Sequence, residues 1–192
     1  MEPAELRSVS KRLSRVLRHA PGSVGLTLDA NGWVSVDDLL AALGRHGRRV
    51  SRAELDEVVA GNDKQRFAVR GGPDGVDLIR ASQGHSARVA VDLALDPVAP
   101  PELLYHGTDT IHVPAILEQG LRPGRRHHVH LSMDVSTAVT VGRRRGGAVS
   151  VLEVEAAKLA ARGHEFYRSD NGVWLTATVP PDVIRPPSRR PR

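Results

Sequence analysis

At 192 residues the chain is long enough for one sizeable domain or two small ones, and it carries a formal net charge of +5. It has no cysteine, which excludes disulfides, thiolate nucleophiles and cysteine-based zinc or iron–sulfur sites. No apolar run approaches the roughly 18–20 residues that span a bilayer, and the polar start Met1-Glu2-Pro3-Ala4-Glu5 lacks a signal-peptide pattern, so a cytoplasmic protein with an anionic partner such as nucleic acid is expected.

Leu6, Val9, Leu13, Val16 and Leu17 recur at helical spacing and predict an amphipathic first helix ending near His19-Ala20-Pro21. Arg18 and His19 then sit at its carboxyl end, where the helix dipole favours positive charge. Ser35 and Asp38 form a weakened capping box ahead of Leu39, Leu40 and Leu43, while Ser51 and Glu54 form the standard one for a helix running to about Gly61-Asn62. Phe67-Ala68-Val69-Arg70 and Val76-Asp77-Leu78-Ile79-Arg80 flank the turn-rich Gly71-Gly72-Pro73-Asp74-Gly75 and read as a β-hairpin. Short helices followed by a hairpin predict a winged helix, placed at residues 1–93.

Three prolines between Ala94 and Pro101 mark a linker or docking strap at residues 94–101. Beyond it, residues 102–185 predict strands at 103–106, 129–132, 149–154 and 174–179, with short helices near 113–118, 137–141 and 156–161. This mixed α/β lobe makes the whole chain α+β. The last residues, from Arg185 through the basic tail at 186–192, lack apolar anchors and are expected to be flexible.

Three basic groups lie far apart in sequence, Arg18-His19, Asp63-Lys64-Gln65-Arg66-Phe67 and Arg143-Arg144-Arg145, and if folding brings them together they form a cationic pocket suited to a dianionic phosphate. Arginine grips two oxygens of a phosphate monoester through its planar fork, and several arginines hold charge as it redistributes during transfer. On an extended segment Lys64 and Arg66 share a face while Phe67 turns to the core. His19 either hydrogen-bonds phosphate as imidazolium or exchanges a proton during reaction, and both roles stay open.

Tyr105-His106-Gly107-Thr108 offers a glycine for close backbone approach, a hydroxyl and an imidazole at a strand end. Val129-His130-Leu131-Ser132 repeats the arrangement, with His130 and Ser132 on one face and Val129 and Leu131 toward the core. Two polar pairs on strands fit an elongated nucleotide. His127, His128 and His130 have poor spacing for a closed zinc site, so no metal is expected. The carboxylates at Asp37-Asp38 and around Glu54-Asp56-Glu57 read as caps and solvated helix faces. The glycine-rich fingerprints of Rossmann and P-loop proteins are missing.

These stretches together resemble the RNA 2'-phosphotransferases of the Tpt1/KptA family, from about Ser10 through Ile184. The resemblance is carried by the segment from Leu13 to His19, Leu28-Asp29 with Gly32-Trp33-Val34, Asp63 to Phe67, Ile79-Arg80-Ala81 with Gln83-Gly84-His85-Ser86, Leu104 to Thr108, His128 to Ser132, Val141 to Gly146, and Phe166 to Thr176. It implies a winged-helix RNA lobe followed by an ADP-ribosyltransferase-like lobe that binds NAD. The family's catalytic Arg-His-Arg-Arg group carries over to Arg18, His19, Arg66 and Arg144, the last chosen by the family's Val-Gly-x-Arg-x-Gly pattern. Lys64 would assist Arg18, His19 and Arg66 in binding the substrate phosphate. His106, Gly107, Thr108, His130, Leu131, Ser132, Ser169 and Asn171 would contact NAD. Arg145 stands where a histidine is frequent and Gly147-Ala148 where a Lys-Pro pair is frequent; neither departure removes a proposed catalytic group.

The implied reaction has two transfers. An internal RNA 2'-phosphate attacks C1'' of NAD and expels nicotinamide; O2'' of the ribose then attacks that phosphate, releasing RNA with a 2'-hydroxyl and ADP-ribose 1'',2''-cyclic phosphate. NAD is consumed as a co-substrate, so a missing Rossmann signature is no objection. The partners implied are 2'-phosphorylated RNA, with tRNA among the candidates, and NAD, with no membrane and no obligate protein partner. Two other readings compete: an ADP-ribosyltransferase that caps a terminal phosphate and stops after one transfer, and a non-catalytic nucleic-acid module whose affinity falls with salt.

Overall fold

The computed structural model describes residues 2–61 and 65–186. The chain divides into two compact units, Met1–Ala94 and Leu95–Arg192.

In the first unit α1 (Pro3–His19) starts with proline in its first turn, where a missing amide hydrogen costs nothing, and buries Val9, Leu13, Val16 and Leu17. It stops where the amide of Ala20 bonds back to the Arg15 carbonyl at 3.0 Å and the 3-10 turn Pro21–Val24 takes over. A two-residue strand, β1 (Val34–Ser35), leads directly into α2 (Val36–Arg45). The hydroxyl of Ser35 caps that helix by accepting from the Asp38 amide at 3.3 Å. α3 (Arg52–Ala60) carries the complete capping box: Glu54 Oε2 accepts from the Ser51 amide at 2.7 Å while the Ser51 hydroxyl accepts from the Glu54 amide at 3.3 Å. Gly61 ends α3, and Asn62 lies outside the described residues.

The hairpin is present as β2 (Phe67–Gly71) and β3 (Asp77–Ala81), antiparallel with Val69 opposite Ile79. β1 pairs with the other edge of β3, giving a three-stranded sheet in the order β1-β3-β2. The helices and sheet enclose one core in which Leu13, Leu17, Leu39, Leu43, Leu55, Phe67 and Ile79 are buried.

The second unit holds β4 (Leu103–Asp109), α4 (Val113–Gln119), β5 (Val129–Leu131), α5 (Val135–Gly142), β6 (Val149–Glu155), α6 (Ala156–Ala160), β7 (Phe166–Arg168), β8 (Trp174–Thr176) and β9 (Ile184–Arg185). They form two three-stranded antiparallel sheets, β4-β6-β9 and β5-β8-β7. A single bridge between Tyr105 and Ser132 connects them. Leu104, Leu131, Leu152, Leu159, Phe166, Trp174 and Val183 fill the core of this unit. The proline-rich segment docks along β7, with the Val98 amide donating to the Phe166 carbonyl at 2.8 Å. Arg185, expected within the flexible tail, instead pairs with Glu153 in β9 and forms a salt bridge to Glu155 at 2.5 Å. Ile184 supplies the apolar anchor for that pairing, and residues 187–192 lie outside the described residues. Among the described residues no helix is long and apolar enough to cross a membrane.

Candidate active site

The first unit brings two of the three sequence-distant basic groups together. The Arg18 guanidinium, at the last turn of α1, donates from Nη2 to the backbone carbonyl of Arg66 at 3.2 Å. That carbonyl also accepts the amide of Ser82 at 3.0 Å, and the carbonyl of Arg18 accepts the amide of Ser86 at 2.9 Å. The loop after β3 therefore joins the end of α1 to the entry of β2. Arg66 is half-buried immediately before β2, Phe67 is buried behind it, and His19 is exposed at the helix end.

One expectation changes here. The backbone is not extended through this segment: Gln65 has φ +38°, so the chain turns sharply before Arg66. The hydroxyl of Ser82, 1% exposed, holds the turn by donating to the Gln65 carbonyl at 2.7 Å. A left-handed residue without glycine costs backbone energy, and the buried Ser82 offsets part of that cost. Gln65 thus departs from the extended backbone that the sequence reading assumed for this segment, and Lys64 lies outside the described residues. Ser82 gave no sequence signal beyond being a small polar residue after a strand.

Arg80 is a different kind of arginine. It is buried, its guanidinium lies 4.6 Å from the centre of the Trp33 ring, and Nη1 donates to the Leu93 carbonyl at 3.1 Å. Arg70 lies over the same ring at 4.3 Å. These interactions tie residues near the end of the first unit to the Asp29–Trp33 turn, whose Asp29 carboxylate accepts the amides of Asn31 and Trp33 at 2.9 and 2.8 Å.

The second unit gathers the polar strand segments. Ser132 and Tyr105 exchange backbone hydrogen bonds of 2.8 and 2.9 Å, and His106 Nδ1 lies 3.1 Å from the His130 carbonyl. Val129 and Leu131 are buried while His130 and Ser132 are partly exposed, the alternation read from the sequence. Leu131 is opposite Trp174, which is opposite Arg168, so Ser132 and Ser169 leave the same end of the β5-β8-β7 sheet. The hydroxyl of Ser169, 3% exposed, has the Asn171 Oδ1 at 2.8 Å and the Val173 carbonyl at 3.0 Å as acceptors for its one proton. His106, His130 and Ser132 therefore meet where the two sheets are bridged, Ser169 and Asn171 follow β7 at the same end of the β5-β8-β7 sheet, and Thr108 lies further along β4 opposite Ser150.

Gly107 has a structural purpose of its own. A Cβ at this position would overlap the carbonyl of Ala138 in α5. Across the contact, a Cβ on Gly142 would lie 3.2 Å from the carbonyl carbon of Gly107 and 2.7 Å from the Val149 side chain. Helix and strand touch backbone to backbone through these two glycines. The close approach at Gly107 observed in the structure is made by α5. Its consequence is positional: the 3-10 turn Arg143–Arg145 begins directly after Gly142 and contacts β4, with Arg144 exposed on it and Gly146 (φ +85°) closing it.

Helix α5 is fixed at its other end by Asp134, which accepts the Thr137 amide at 2.8 Å and the hydroxyls of Ser136 and Thr137 at 2.6 and 2.8 Å. Donation from the Ser136 hydroxyl, then from the amide and hydroxyl of Thr137, holds the Asp134 carboxyl below its ordinary value. The sequence does contain this signal, as Asp134 followed three residues later by Thr137. In the loop before β5, Arg126 donates to His130 Nδ1, and the ring of His128 stands edge-on to Tyr167 at 5.7 Å. Among the described residues no group of three His, Asp or Glu side chains could hold a metal ion.

A family model described as "RNA 2'-phosphotransferase, Tpt1 / KptA family" matches residues 4–178. The chain belongs to the Tpt1/KptA family. Among its relatives, a "Probable RNA 2'-phosphotransferase" of Streptomyces griseus subsp. griseus is 56% identical over 188 residues, covering 96% of this chain and 98% of that protein. A protein of the same description from Burkholderia lata is 49% identical, covering 92% of this chain and 89% of its own length. Another, from Pseudomonas aeruginosa, is also 49% identical, with 96% and 99% covered. As a Tpt1/KptA member the chain is an enzyme of the RNA 2'-phosphotransferase family, and all three basic groups and all the polar strand segments described above fall inside the matched span.

Proposed function

We propose that this enzyme removes an internal 2'-phosphate from RNA at the expense of NAD, with Arg18, His19, Arg66 and Arg144 as its catalytic residues. The observation that carries the reading is the hydrogen bond from the Arg18 guanidinium to the Arg66 carbonyl, which sets side by side two cation-bearing segments 48 residues apart. A phosphate dianion placed against them meets fixed positive charge on more than one side, and His19 at the same helix end adds a titratable donor. Lys64 belongs to the same phosphate-binding group. The first unit, three helices and a hairpin-edged sheet, serves as the winged-helix RNA lobe, and the second as the ADP-ribosyltransferase-like lobe.

The hydroxyl, imidazole and amide groups of His106, Thr108, His130, Ser132, Ser169 and Asn171 are suited to the ribose hydroxyls and carboxamide of NAD. The open side of Gly107 is filled by α5, so Gly107 and Leu131 contribute through backbone and shape. NAD supplies an electrophilic anomeric carbon with nicotinamide as its leaving group. Arg144, exposed on the turn after α5, is the cation that the second unit contributes to the transfer. The RNA phosphate forms a bond to the anomeric carbon as nicotinamide departs. The adjacent ribose hydroxyl then displaces the RNA, whose 2'-oxygen leaves with a proton, and ADP-ribose 1'',2''-cyclic phosphate is released.

Incubating the protein with NAD and a short RNA bearing one internal 2'-phosphate, and weighing both products by mass spectrometry, tests the reading. The expected products are RNA lighter by one phosphate, free nicotinamide and the cyclic nucleotide. RNA that only gains ADP-ribose would replace this reaction with single-step capping, and no reaction with NAD would leave a binding module. A soluble tRNA-processing role in the cytoplasm follows from the same reading.

A further inference from the structure

The solvent side of α1 carries a row of cations of which the proposed reaction uses only the last, Arg18. Arg7, Lys11 and Arg15 are exposed and succeed one another at four-residue intervals, and Arg18 completes the row three residues on. At 100° per residue all four fall within a sector of about 80°, opposite the buried stripe of Val9, Leu13, Val16 and Leu17. The row is about 16 Å long, at 1.5 Å per residue, and ends at the arginine that holds Arg66. Ala4, Ser8 and Ser14 are the other residues on that side, and Glu5 points elsewhere, so no acidic side chain of the helix faces the row. Among the described residues the side chains of Arg7, Lys11 and Arg15 have no hydrogen-bond or ion-pair partner.

Such a row is not a device for stabilising a helix. Like charges at i, i+4 repel, whereas opposite charges at that spacing attract. The attractive arrangement occurs elsewhere in the chain: Arg52 bridges Asp56 at 2.9 Å in α3. In α1 three consecutive positions of that kind are all cationic. An anionic polymer with charges at regular intervals removes the repulsion.

We infer that the outer face of α1 is a backbone track for the RNA strand flanking the 2'-phosphate, in which Arg7, Lys11 and Arg15 each meet a backbone phosphate and Arg18 meets the transferable one. The inference rests on the phosphate-removal reading for its direction, since Arg18 is the end of the row that lies in the reaction site. The occupant is single-stranded RNA, because the row is one side chain wide and ends at a 2'-oxygen substituent. Binding through phosphates gives affinity and register without base preference.

The test replaces all three residues together, Arg7→Gln, Lys11→Gln and Arg15→Gln, keeping helix-forming side chains while removing the charge. Binding is followed by fluorescence anisotropy on a 2'-phosphorylated RNA of about twelve nucleotides and on a dinucleotide, across a salt series. A control removes the same charge elsewhere in the unit, at Arg45, Arg48 and Arg49, also to Gln. Because three backbone phosphates no longer meet a cation, the slope of log affinity against log salt is expected to fall by about 2 on the longer RNA, and by far less on the dinucleotide and in the control. The melting temperature should hold or rise, because repulsion has been removed. Equal slopes in variant and wild type, or an equal drop in the control, would overturn the track. Should wild type bind the longer RNA with the expected slope yet release no phosphate with NAD, the reaction assignment fails while the track stands.

Discussion

Arg66 is served by two separate devices, and they predict two different mutant behaviours. Its side chain lies outside the packed core, so Arg66→Ala should leave the melting temperature nearly unchanged while lowering phosphate removal by about 10²–10³-fold, the size expected when one charge-stabilising donor is removed. Normal turnover in that variant would take Arg66 out of the catalytic group. Ser82, by contrast, bonds to backbone, and Ser82→Ala should cost about 1 kcal/mol of stability through the missing bond to Gln65. If Ser82 positions Arg66, turnover should fall by more than stability explains, and Ser82→Thr, which keeps the hydroxyl, should restore it. The positive φ at Gln65 shows why this device was illegible in the sequence: glutamine carries no left-handed signature, and the restraint comes from a loop seventeen residues away.

At the scale of elements, long periodic stretches were readable and short paired ones were not. The apolar rhythm of α1 and the capping box of α3 are local properties of the chain, and both occur as written in the sequence. Strands β1, β7 and β9, of two or three residues, exist because a neighbour supplies their hydrogen bonds, which no local pattern encodes. The strand expected to reach residue 179 stops at Thr176, and α5 begins at Val135, two residues before its predicted start, because Asp134 caps it.

That cap has a pH signature. Asp134 and Glu155 both titrate lower in the folded protein, Asp134 through the hydroxyl and amide donors already described, Glu155 through Lys158 and then Arg185. The folded state therefore binds fewer protons, so this share of stability is fully present above the unfolded carboxyl value of about 4 and drains away as pH falls through the folded values. Asp134→Asn keeps an N-cap acceptor without the titration, and its melting temperature should depend less on pH below about 4 than that of wild type. Equal acid sensitivity would assign the effect to other carboxylates. The α5–β4 contact is stricter still: Gly107→Ala must displace the Ala138 carbonyl and should cost about 1–3 kcal/mol. The shift would carry the Arg143–Arg145 turn with it, and NAD consumption should fall in the same variant.

Taken as a whole molecule, the protein is a basic chain with a net charge of +5 whose arginines, in the proposed function, divide between catalysis, RNA binding and structure. Position rather than number separates these roles. Arg80 looked in the sequence like one more cation beside a hairpin, yet it is buried against Trp33. The polar pairs at 106–108 and 130–132 were legible as alternating strands, but their meeting through the Tyr105–Ser132 bridge is a property of tertiary structure. In the proposed reaction Arg18, Arg66 and Arg144 would supply the charge neutralisation that a divalent cation gives many phosphate-transfer sites, so turnover is expected to survive chelation by EDTA. Activity abolished by EDTA and restored by magnesium would contradict that division of labour.

The chain has only two tryptophans, and each unit holds one: Trp33 beneath Arg70 and Arg80, Trp174 one strand position from the Ser169–Val173 turn. Indole emission responds to nearby charge and solvent, so the enzyme comes with its own pair of optical reporters. In a Trp33→Phe variant the remaining light arises from Trp174 alone, and a titration with NAD can be watched from inside the protein without attaching a dye.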